Sequence, residues 1–131
     1  MNISILFIRL GGVINLLAAI LHVFFWKLFD WPSELKSLSV VNSNIMQMLN
    51  LFIIVFFLYT AALLIFRPAE FISSAIGRAF LGLLSTMYLA RLAMEFYFPE
   101  GSLVFAAILL VAIMLFVVPI FQYKKPVYAN Q

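Results

Sequence analysis

Four long apolar runs, separated by short polar segments, occupy almost the whole chain. They cover approximately residues 3–29, 45–66, 74–98 and 103–123. A helix needs about 20 mostly apolar residues to cross a hydrocarbon core of roughly 30 Å, and each run is long enough. Lipid supplies no water to satisfy backbone N–H and C=O groups, so each run must close its own hydrogen bonds as a helix. The chain therefore reads as an all-α integral membrane protein, a single four-span domain over residues 1–131. Most connections are short, which predicts an antiparallel four-helix bundle. Composition points the same way: 66% of residues are hydrophobic and 10% charged, against about a quarter charged in an ordinary soluble domain.

The ends of the runs follow from local chemistry. Asn42-Ser43-Asn44 is a candidate N-cap for the second run, and Arg67-Pro68 is its stop. The third run meets Pro99-Glu100-Gly101, and the fourth meets Lys124-Lys125-Pro126. The first run is too long for a secretory h-region and no small-x-small cleavage site follows it, so it reads as a retained span. The one longer loop, residues 31–41, spaces Leu35, Leu38 and Val41 at i, i+3, i+6 behind Trp31-Pro32. That pattern suits a short helix lying at the membrane surface, and equally an irregular connection. If the spans alternate, Arg9, Arg67, Arg78, Lys124 and Lys125 share one side, and Lys27 and Lys36 share the other with Asp30 and Glu34. The positive-inside rule then puts both termini in the cytoplasm.

Much chemistry is excluded outright. With no Cys there is no disulfide, thiolate nucleophile or Cys-based zinc site. His22 is the single histidine, too few for a three-ligand zinc centre. No Gly-rich phosphate loop, nucleophile elbow or HExxH helix occurs. No catalytic residue, metal or cofactor is expected. The net charge of +3 is too thin for nucleic acid, which leaves the lipid bilayer as the expected partner. In size and span count the chain resembles the small multidrug transporters, which work as dimers. Its first span carries Asn15 and His22, however, and lacks the glutamate that serves coupling in that family. It also resembles, in general form, the small four-span proteins of bacterial membranes, which implies a place in the cytoplasmic (inner) membrane.

Polar residues within the runs carry what functional signal there is. A charge near mid-bilayer costs several kcal/mol, so it normally faces the bundle interior with a partner. Counted from the ends of their spans, His22, Asn50 and Arg91 each lie about 10 Å below the same surface, and Gln47 and Glu95 about 5 Å. Tyr88, Arg91 and Glu95 share one helical face with Leu84. Arg91 and Glu95, at i, i+4, can pair. Gly11, Asn15, Ala18 and His22 form a stripe on the first span that permits close helix approach. The expectation is a polar pocket roofed by the Trp31 loop, its candidate ligand-binding residues being His22, Gln47, Asn50, Tyr88, Arg91 and Glu95. Most have a plainer alternative: Gln47 and Asn50, like Asn15, as interhelical glue, Arg91–Glu95 as a structural clamp, His22 as a satisfied core histidine. Three readings follow. The pocket binds a small amphipathic ligand or lipid headgroup; or the chain is an accessory subunit, in a homo-oligomer or larger membrane complex; or His22 and Glu95 serve a proton-coupled carrier or intramembrane enzyme.

Overall fold

The computed structural model describes residues 2–98 and 101–122, whose regular structure is all helical with no strand among them. Four helices are long and apolar enough to cross a membrane. They are α1 (Ile3–Val23), α4 (Val40–Phe66), α6 (Ala75–Tyr97) and α7 (Leu103–Phe121). Short elements join them: α2 (Phe25–Leu28), α3 (Trp31–Glu34) with a 3-10 turn at Leu35–Ser37, and α5 (Pro68–Ser73). Tyr123 and Lys124-Lys125-Pro126, and Pro99-Glu100 between α6 and α7, lie outside the described residues.

Each long helix begins on a short polar side chain that accepts from a first-turn N–H. Asn2 accepts from Ser4, Ser39 from Asn42, Ser74 from Gly77, and Ser102 from Phe105. Such caps are worth about 1 kcal/mol each. The second span thus starts at Val40, five residues earlier than its hydropathy suggests. Ser39 has the extended backbone an N-cap requires, so Asn42, Ser43 and Asn44 fall inside the first turns of α4 instead of capping it. Pro68 does end α4, since it cannot continue the hydrogen-bond ladder, but it also opens α5 as its first residue.

The first span is shorter than its apolar run. α1 stops at Val23, and Phe24–Phe29, apolar apart from Lys27, turn away through α2. Asp30 then takes a left-handed backbone (φ 43°, ψ 44°), which Asp tolerates better than most residues. In the loop, Trp31 and Leu35 are buried while Leu38 and Val41 are exposed. The i, i+3, i+6 stripe therefore does not form a single face: the α-turn and 3-10 turn end at Ser37, and Leu38 is extended.

α1 occupies the middle of the assembly, packed on α4 on one side and α7 on another, while α6 packs on α7 and α5. Two adjacent glycines make this possible. At Gly11 a Cβ would collide with the Phe116 ring of α7. At Gly12 it would lie 2.8 Å from the Ile65 side chain and 3.2 Å from the Ala61 carbonyl of α4. Close approach of backbones through small residues drives helix association where lipid removes the hydrophobic incentive. Ile8, Leu64, Leu81, Leu84, Leu109, Ala112 and Phe116 fill the shared interior. Ser4 Oγ donates to Gln122 Oε1 at 2.9 Å, tying the start of α1 to the residue after α7.

Candidate functional site

The interior holds one polar chain, built from three helices. Tyr88 of α6 donates its hydroxyl to Asn15 Oδ1 of α1 at 2.6 Å. Asn15 Nδ2 donates to Thr60 Oγ1 of α4 at 2.8 Å, and Thr60 donates on to its own helix at Phe57 O. All three side chains are enclosed, with exposures of 0% for Asn15, 1% for Thr60 and 8% for Tyr88. The Tyr88 ring lies against Phe57 and Phe116, which bring in α4 and α7. This arrangement is a fastening. Thr60 carries half of it and is absent from the sequence-based candidates. Depth along the spans gave no sign of it: Thr60 lies six residues from the Phe66 end of α4 and Asn15 twelve from the Ile3 end of α1.

Toward the other end of α1, His22 and Asn50 meet through the backbone. With the helix stopping at Val23, the His22 carbonyl belongs to the last turn, where no i+4 N–H reaches it. Asn50 Nδ2 of α4 donates to that oxygen at 3.1 Å. The His22 ring turns back on its own helix, its Nδ1 lying 2.7 Å from the Ala18 carbonyl oxygen. A carbonyl only accepts, so Nδ1 carries the proton. The ring packs against Phe25 and Phe57 at 4.4 and 5.6 Å between centroids.

Arg91 and Glu95 do pair, at 2.6 Å, as their spacing predicts. The Arg91 side chain is 47% exposed and its guanidinium stands 5.1 Å over the Phe105 ring of α7. Glu95, with a side chain only 9% exposed, uses its other oxygen to accept from the Ser102 backbone N–H at 2.7 Å. Ser102 caps α7, so the carboxylate faces the positive end of that helix. The pair ties the last turns of α6 to the start of α7.

Hydrogen bonds thus bring together His22 with Asn50, and Arg91 with Glu95, while Tyr88 goes to Asn15 and Gln47 to Trp26. Among the described residues no hydrogen bond or ion pair links these groups to one another. Only the Phe57 ring spans two of them, touching both His22 and Tyr88.

A recess of about 490 Å³ does lie under the first loop, between residues 31–38 and the first turns of α4. Of the six candidates, Gln47 alone lines it. Trp26 and Trp31 form its aromatic wall, in contact edge to face at 5.1 Å, and Lys36, Ser43 and Asn44 add polar groups. The break in α1 is what folds one tryptophan against the other. Every bond made by the Gln47 side chain is long: 3.4 Å from Trp26 Nε1, 3.4 Å to Ser43 O and 3.5 Å to Ser43 Oγ. Bonds of that length are weak and readily exchanged. No protein-family model, curated protein or solved structure matches the chain.

Proposed function

We propose that this chain is a small four-span membrane protein that binds an amphipathic molecule in the recess under its first loop. Neighbouring spans run antiparallel with both termini cytoplasmic, which places the loop and its recess at the extracytoplasmic surface of the bilayer. The observation that carries the reading is one wall of indole against one loosely held amide, in a recess of ligand size. Aromatic and aliphatic groups take the chain-proximal part of an amphiphile, while Gln47, Ser43 and Asn44 meet its polar part. His22 and Asn50 act beneath it by holding the broken end of α1. Arg91 and Glu95 act elsewhere, at the α6–α7 turn. Since His22 and Glu95 are committed to separate partners, an acid–base pair between them gains no support.

Both tryptophans of the chain line the recess, so intrinsic fluorescence reports its occupancy directly. Detergent-purified protein titrated with an amphiphile bearing a brominated chain is expected to show saturable quenching. Gln47→Leu should shift the saturation point several-fold and Arg91→Leu should not. Quenching that rises linearly without saturation, equal in wild type and Gln47→Leu, would overturn the reading.

A further inference from the structure

We infer that the recess selects an anionic headgroup carried on an acyl chain, with Lys36 as the residue that reads its charge; this rests on the binding role proposed above. Lys36 is the one charged side chain in the lining. Asp30 and Glu34 lie nearby in sequence, but neither lines the recess, so the lining itself carries one positive charge. No ion pair engages Lys36 among the described residues, so its ammonium is uncommitted. Beside it, Ser43, Asn44 and Gln47 supply neutral hydrogen-bonding groups, a set suited to the remaining oxygens of a phosphate or carboxylate head. A quaternary ammonium head would want an open aromatic cage and no cation nearby. Here Trp31 is buried with its ring edge to face on Trp26, and Lys36 repels a second positive charge. The apolar lining from Leu35, Leu38 and Val40 gives the adjoining chain its place.

The test is competitive retention by native mass spectrometry. Protein reconstituted with equimolar phosphatidylglycerol and phosphatidylcholine of matched chains is expected to keep the anionic lipid by about fivefold, the effect of one lysine at a membrane surface. Lys36→Gln should bring the ratio to about one, and Lys36→Arg should keep it. Lys27→Gln makes the same change in net charge at an exposed side chain that does not line the recess, and should leave the ratio unchanged. An unchanged ratio in Lys36→Gln, an equal fall in Lys27→Gln, or a wild-type preference for phosphatidylcholine would overturn the inference. Glycerol 3-phosphate should leave bound phosphatidylglycerol in place; displacement by that free anion would overturn the requirement for a chain. Retention of both lipids without discrimination, abolished by Trp26→Leu, would refute the charge selection and spare the recess. Retention insensitive to Trp26→Leu and Gln47→Leu alike would remove the binding site itself.

Discussion

Tyr88→Phe removes one oxygen from the interior and leaves the ring against Phe57 and Phe116. The lost hydroxyl donates to Asn15 Oδ1, which has no solvent access, and no other donor reaches that oxygen among the described residues. A buried acceptor without a partner costs about 1–3 kcal/mol. Hydrogen bonds between membrane helices average about 0.6 kcal/mol and reach about 1.7, because the unfolded chain in lipid also finds partners. Full enclosure of Asn15 puts this bond near the upper end, so Tyr88→Phe should cost about 1–2 kcal/mol. Asn15→Leu orphans the Tyr88 hydroxyl instead, while Thr60 keeps Phe57 O, and the expected cost is about 2 kcal/mol. With both partners apolar nothing is left unsatisfied, so the double variant should be more stable than additivity predicts by about 1 kcal/mol. Reversible unfolding in mixed micelles of rising dodecyl sulfate content, followed by circular dichroism, measures all four species. Additivity within about 0.3 kcal/mol, or a Tyr88→Phe variant equal to wild type, would refute the fastening role.

Two further outcomes follow from the packing. Gly11→Ala forces a methyl into the Phe116 ring and should destabilise by about 1–3 kcal/mol, whereas Gly82→Ala meets nothing within 4 Å and should stay within about 0.5 kcal/mol of wild type in the same unfolding assay. Asn50→Leu strips the His22 carbonyl of its donor and should cost about 1–3 kcal/mol, with faster amide exchange over residues 23–30 than in wild type.

What sequence could and could not show divides along one physical line. Four helices were legible because lipid imposes a length and a hydrogen-bonding rule that any apolar run of that size must obey. The Arg91–Glu95 pair was legible because both partners lie on one helix, where spacing alone sets their geometry. The end of α1 was not, since Phe24–Phe29 are aromatic and aliphatic apart from Lys27 and hold no Gly or Pro to mark a stop. Residues on different helices were the harder case. Depth along a span places a side chain in one dimension; its partner depends on which helix lies beside it. Arg91 and Asn50 match in depth, yet α6 packs on α7 and α5 while α4 packs on α1, so the two never share a bond.

The recess and the break in α1 have one origin. Gly12 draws α4 against α1 closely enough that Asn15 reaches Thr60 and Asn50 reaches the His22 carbonyl, two ties along one seam. The second tie satisfies the very carbonyl that the break exposes, so α1 can stop there without an orphaned group. Beyond it the chain leaves α4, and the left-handed Asp30 turns it back so that Trp31 lands on Trp26. The space between this departing loop and the first turns of α4 is the recess. An α1 continued as an unbroken helix to Phe29 would carry Trp26 along its own axis and leave no loop to fold over Gln47. Asn50, one of the residues that depth marks as a ligand group, is therefore the one that lets the binding surface form beside it.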